Sequence, residues 1–157
     1  MSDHHSFLDK AFELAFNGIK NNLGGPFGAV VVKDGKIIGA GCNCVTSTND
    51  PTAHAEVSAI RDACRNIKSF DLAGAVIYST CEPCPMCFSA IYWANIKTVY
   101  FSSTRYDAAD IGFRDNHIYE ELSVPPAERS VPFLHIQHPQ ASTLFREWVN
   151  KQDKTLY

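Results

Sequence analysis

Apolar residues recur near the start of the chain at helical spacing. Leu8, Ala11, Phe12, Ala15, Phe16 and Ile19 share one face of a helix expected over residues 7–21. Ser6 stands at its capping position, with Asp9 three residues on. Asn22-Leu23-Gly24-Gly25-Pro26 breaks the pattern. Strand character follows over 27–32 and 37–44, around a Lys33-Asp34-Gly35-Lys36 turn whose D-G pair signals a hairpin. Residues 45–49 read as a polar loop. Asp50-Pro51 then has the form of an N-cap followed by a first-turn proline, which predicts a helix to about Asn66 with Ala55, Ala59, Ile60 and Ala63 inward.

The apolar run 75–80 predicts a buried strand, followed by a helix over 84–94 and a further strand over 97–102. Strand, helix and strand in that order imply parallel pairing through a right-handed crossover. Functional groups then belong at the carboxyl ends of the strands. Beyond lie a helical segment 107–113, a polar-aromatic stretch 114–122 and a proline-interrupted connector 123–129. A last strand or extended segment is expected over 131–137, and a short helix over 141–151 with Leu144, Phe145 and Trp148 inward. No internal repeat interrupts this α/β order.

Composition narrows the class. At 157 residues, 45% hydrophobic and 20% charged, the chain suits one domain over 1–157 with a real core. No apolar run is long enough to span a bilayer. The 14 Lys and Arg are interspersed among 17 Asp and Glu, for a net charge of −3, which counts against a nucleic-acid partner. The N-terminus lacks the features of a secretory signal, so the six cysteines are read as reduced thiols of a cytoplasmic protein. Cys42, Cys44 and Cys64 are assigned to packing.

The remaining three cysteines crowd Thr80-Cys81-Glu82-Pro83-Cys84-Pro85-Met86-Cys87, read together with Thr52-Ala53-His54-Ala55-Glu56. Cys84 and Cys87 are three apart at a helix start, where the sulfurs share a face and the helix end favours thiolates. His54 supplies a neutral nitrogen. Three protein ligands leave one tetrahedral position open, as in catalytic rather than structural zinc sites. Glu56, two residues from a ligand, is then the acid/base. H-x-E followed by P-C-x-x-C is the signature of zinc-dependent nucleobase deamination. Against it stands a closed site built from Cys81, Cys84, Cys87 and His54 in a non-catalytic protein, which leaves Glu56 unexplained. A thioredoxin-type pair needs no upstream H-x-E.

Other residues read blandly by pattern alone. His117, His135 and His138 receive no role, and His4 and His5 fall in a terminus expected to be mobile. Asp115 reads as a solvated charge, Trp93 as core and Tyr157 as a chain end. The Gly24–Gly28 stretch lacks the lysine of a phosphate loop, and spacing gives Phe27 no function.

From about residue 6 to 157 the chain resembles bacterial guanine deaminases of the cytidine-deaminase-like superfamily. The likeness is carried by Gly24-Gly25-Pro26-Phe27-Gly28-Ala29-Val30, Asn49-Asp50-Pro51-Thr52-Ala53-His54-Ala55-Glu56-Val57 and Cys81-Glu82-Pro83-Cys84-Pro85-Met86-Cys87. It continues through Ala90-Ile91-Tyr92-Trp93-Ala94, Asp107-Ala108-Ala109-Asp110-Ile111-Gly112-Phe113 and the terminal Tyr157. The zinc motifs are shared with tRNA adenosine and cytosine deaminases; the downstream segments discriminate.

The resemblance implies a three-layer α/β/α fold around a mixed sheet of about five strands, one zinc per subunit, and conversion of guanine to xanthine and ammonia. Asp115 matches a second acid that assists the departing amine, and Asn43 a residue that hydrogen-bonds the purine. Phe27 and Trp93 match residues that pack on the base. The family exchanges its C-terminal segment, here about 130–157, between the subunits of a homodimer, which would place Tyr157 over the partner's pocket. The family commonly has two acidic residues after its Gly-Phe, whereas Arg114 precedes Asp115 here. The same motifs leave open deamination of another nucleobase, a nucleoside, a triazine or tRNA adenosine.

Overall fold

Asp34 and Gly35 both adopt positive φ (51° and 73°), the backbone a two-residue hairpin turn requires. They join β1 (Gly28–Lys33) to β2 (Lys36–Cys42) in antiparallel register, Ala29 opposite Gly41 and Val31 opposite Gly39. The structure, a computed structural model, describes residues 4–157. On its other side β1 pairs antiparallel with β3 (Val76–Cys81). β3 pairs in parallel with β4 (Thr98–Ser103), through the crossover helix α4 (Pro85–Trp93). The order is β2-β1-β3-β4.

Both faces of β1 and β3 are covered, so their sequences are nearly continuously apolar rather than alternating. Val30, Val32 and Tyr78 face Phe7, Leu8 and Leu14 of α1 (His4–Lys20). Ala29, Val31 and Ile77 face the opposite layer, with Ala59, Ile60 and Ala63 of α3 (Ala55–Ile67) and Ile91 of α4. α3 lies unusually close to β2. A Cβ on Gly39 would stand 2.4 Å from the Ala59 carbonyl oxygen, and one on Gly41 2.6 Å from the Ala59 nitrogen. Glycine on the strand and alanine on the helix are therefore what allow the layer to close. The result is the expected three-layer α/β/α arrangement.

Several local expectations are corrected. Among the described residues the first helix already includes His4, placing Ser6 inside it, and His4 is tied down through an Nδ1–Tyr78 Oη bond of 2.8 Å. Residues 45–48 form a short helix, α2 (Val45–Thr48). Asp50 does not cap a helix. Its carboxylate accepts from the backbone and hydroxyl of Thr52 at 2.8 and 2.7 Å, closing a turn that delays α3 until Ala55, with His54 as N-cap. α5 (Arg105–Asp110) starts on a capping box between Thr104 and Asp107, and α6 (Asp115–Glu121) is helical where only a polar-aromatic stretch was expected.

The described residues divide into two compact units, 4–119 and 120–157. In the second, Pro126–Glu128 makes a short 3-10 turn and α7 (Ala141–Asn150) forms as expected. Residues 131–137 are not a strand, so the sheet has four strands among the described residues rather than about five. Pro132 lacks the N–H a ladder needs. Leu144, Phe145 and Trp148, expected inward, are exposed within the chain. Among the described residues no helix is long and apolar enough to cross a membrane.

Candidate active site

The N-termini of α3 and α4 converge beside the carboxyl end of β3. His54 is the N-cap of α3 and Glu56 sits in its first turn; Cys84 is the N-cap of α4, Pro85 opens the helix, and Cys87 lies in its first turn. The His54 Nδ1 atom is 3.5 Å from Cys84 Sγ and 3.6 Å from Cys87 Sγ. A tetrahedral zinc, with its usual Zn–N and Zn–S bond lengths, sets such N···S separations at about 3.6 Å. The three donor atoms therefore already stand at zinc spacing. Cys81 is not in this cluster. Its Sγ donates to the Thr104 carbonyl at 3.5 Å, and burial pushes its pKa up to about 12. The donor set is open, one nitrogen and two sulfurs.

Electrostatics favour the same ion. A hydrogen bond from Cys87, joined by one from His54, lowers the Cys84 pKa to about 4, which favours the thiolate form that a metal would bind. The bond to Cys84 in turn raises His54 and, together with burial, strongly raises Cys87. The cluster holds protons where a cation would replace them, and two helix N-termini reinforce the attraction for thiolate.

Glu56 is buried, 5% exposed, next to these ligands. Ser79 Oγ donates to its Oε1 at 2.9 Å, and Cys87 Sγ to its Oε2 at 3.4 Å. Burial raises the carboxyl pKa despite those donors. His54, Cys84 and Glu56 line a cavity of about 270 Å³, near the lower limit for small-molecule pockets and suited to a compact ligand.

A family model described as the cytidine and deoxycytidylate deaminase zinc-binding region matches residues 1–103, which contain the whole cluster. The chain belongs to this zinc deaminase family. Guanine deaminase of Bacillus subtilis is 47% identical over 155 residues, 99% of each chain, and its solved structure superposes with a TM-score of 0.96 over 99% of both. The tRNA-specific adenosine deaminase of Aquifex aeolicus is 35% identical over 80% of this chain and 81% of its own. Guanine deaminase from Nitrosomonas europaea matches at 28% identity and a TM-score of 0.69, over 73% of this chain and 66% of that one. The zinc cofactor and the cytidine-deaminase-like fold are thereby those of the family.

Within this deaminase site, His54, Cys84, Cys87 and Glu56 converge, and Phe27, Asn43 and Asp115 also line the cavity. Phe27 meets Phe113 edge-on, 4.8 Å between ring centres, so the two rings shape one apolar wall. Asn43 is buried; its Oδ1 accepts from the backbone N–H groups of Gly25 and Val45 at 3.1 and 3.2 Å. That leaves its amide N–H groups for a ligand. A Cβ on Gly24 would fall 2.2 Å from Asn43 Oδ1, so the glycine loop exists to admit this side chain rather than a phosphate. Burial and the Cys84 charge raise the Asp115 pKa. Trp93 sits exposed at the end of α4 and does not line the cavity, and Tyr157 is exposed in the second unit.

Sequence reasoning missed three contributors. Ser79 is a fully buried hydroxyl in an apolar strand, and its only sequence signal is that polarity. Phe113 and Glu82 lie inside the family motifs, where pattern gives them no role, and both line the cavity.

Proposed function

We propose that this chain is a zinc-dependent guanine deaminase, hydrolysing guanine to xanthine and ammonia. The observation that carries the reading is the buried Glu56 carboxyl beside the His54, Cys84 and Cys87 donors on a base-sized cavity. Near-full-length similarity to a guanine deaminase supports the choice of base.

When bound, zinc supplies a Lewis acid that makes water nucleophilic at neutral pH. Glu56, held through Oε1 by Ser79, takes a proton at the carboxylate edge facing the ligands and delivers it to the ring nitrogen beside C2. Asp115 holds the second proton, which lets the C2 amine leave as ammonia. Asn43 donates its free amide hydrogens to the purine edge, and Phe27 packs on the flat base.

The reading extends to a cytoplasmic homodimer in which segment 130–157 is exchanged, bringing Tyr157 to the partner's site. Exposed Leu144, Phe145 and Val149 on α7 and exposed Trp93 support it, because apolar surface of this kind is normally covered. Trp93 reaches substrate only in such an assembly. The net charge of −3 counts against a nucleic-acid substrate.

Ammonia release from guanine, adenine, cytosine, guanosine and cytidine, with Glu56→Ala as control, tests the proposal. Guanine turnover lost in the variant supports it. Turnover of another base keeps the chemistry and overturns the substrate. Silence on all five with zinc retained favours the non-catalytic reading.

A further inference from the structure

α6 places Asp115 in its first turn and Tyr119 one turn later, on the same helix face. The Tyr119 hydroxyl donates to the Pro83 carbonyl at 2.7 Å, and Pro83 immediately precedes the zinc ligand Cys84. One bond therefore joins the helix carrying the second acid to the loop carrying a metal ligand. The guanidinium of Arg105 lies 4.4 Å from the centre of the Tyr119 ring and 3.7 Å from the Glu82 carboxylate. The Arg105 backbone N–H donates to that same carboxylate at 3.0 Å. Arg105 is itself fixed at the start of α5 by the Thr104–Asp107 capping box. Glu82, Arg105 and Tyr119 thus form a half-buried clamp between the ligand loop and α6.

We propose that Tyr119, backed by Arg105 and Glu82, is a positioning residue that sets the reach of Asp115 to the departing amine. The proposal rests on the reading of Asp115 as the second proton donor. Without the clamp, Asp115 sits on a helix of seven residues, too short to be stable unaided, with the Phe113–Phe27 contact anchoring the chain only on its N-terminal side. Misplacement of a catalytic group by about 1 Å can cost up to about a hundredfold in rate. Substrate affinity is expected to change little, because Asn43 is held by the Gly25 and Val45 N–H groups and not by α6.

The test is a double-mutant cycle of Tyr119→Phe and Asp115→Asn, with kcat, KM for guanine and zinc content measured for each variant. Tyr119→Phe keeps the ring under Arg105 and removes one hydroxyl. Expected is a fall in kcat of about tenfold with KM within about twofold, full zinc content, and no further fall when Tyr119→Phe is added to Asp115→Asn. Wild-type kcat, an equal fall in both backgrounds, or a fall that tracks zinc loss overturns the proposal. An Asp115→Asn variant with wild-type kcat instead overturns the reading of Asp115 itself. If Tyr119→Phe does not accumulate folded, Arg105→Gln takes its place in the cycle, with the same non-additivity expected and additive losses overturning the proposal.

Discussion

Replacing Glu56 by Gln separates chemistry from architecture. The amide oxygen can still accept the 2.9 Å bond from Ser79, the side-chain volume is unchanged, and the amide NH₂ that replaces Oε2 can donate to Cys87 Sγ once that sulfur is a thiolate ligand, so in the zinc-loaded protein no buried group is stranded. A glutamine cannot take or deliver a proton. General acid–base catalysis is worth about 10²–10⁴ in rate, and one carboxyl is asked to serve both the water and the ring nitrogen, so the upper end applies. At 1.36 kcal/mol per decade, a fall of about 10⁴ in kcat corresponds to about 5.4 kcal/mol of lost transition-state stabilisation. The assay is xanthine formation from guanine, with zinc content and thermal unfolding measured on the same preparation. Full zinc content and a melting temperature within about 4 °C of wild type are expected, equivalent to no more than about 1 kcal/mol. Retention of more than about a tenth of wild-type kcat would refute the proton-shuttle role, since even the weakest acid–base contribution exceeds that. Loss of zinc would show instead that Glu56 helps hold the metal.

Three further outcomes follow from the geometry. Cys84→Ser removes the thiolate donor and should abolish both zinc retention and activity; metal analysis beside turnover checks it, and an active, zinc-loaded serine variant sinks the ligand assignment. Asn43→Ala leaves the Gly25 and Val45 N–H groups without their acceptor, a loss of about 1–3 kcal/mol in stability by denaturant titration, and raises KM for guanine. The Asp50 pKa is lowered by its bonds to Thr52, so its contribution is present above the unfolded-state pKa and is lost as pH falls through the folded one. Wild type should therefore outlast Asp50→Asn in thermal unfolding at pH 6, and the difference should shrink on acidification; a constant gap contradicts the turn.

The legible part of the site was the part encoded locally. His54, Glu56, Cys84 and Cys87 lie in two short motifs whose spacing follows from a helix start, and both helices do start there, although α3 begins four residues beyond Pro51. That shift came from competition: the Asp50 side chain closes its own turn with Thr52 before it can cap a helix. The hairpin and the parallel crossover were legible because the D-G turn is local and the β-α-β sequence admits one hand, whereas the antiparallel pairing of β1 with β3 has no local signal. Over 131–137, where a last strand or extended segment was expected, no strand forms: the run is apolar enough for one, while Pro132 withholds a ladder donor. Asp115, Asn43 and Phe27 were invisible to pattern, since what unites them is a cavity enclosed by loops distant in sequence. Only resemblance pointed to them, and it pointed equally to Trp93, which this chain leaves outside that cavity.

The most direct measurement is mass analysis of the product after zinc-loaded protein turns over guanine in ¹⁸O-labelled water. Hydrolytic deamination predicts xanthine carrying one solvent oxygen and one ammonia released per base consumed. Guanine recovered unchanged, or a product without solvent oxygen, would contradict the account.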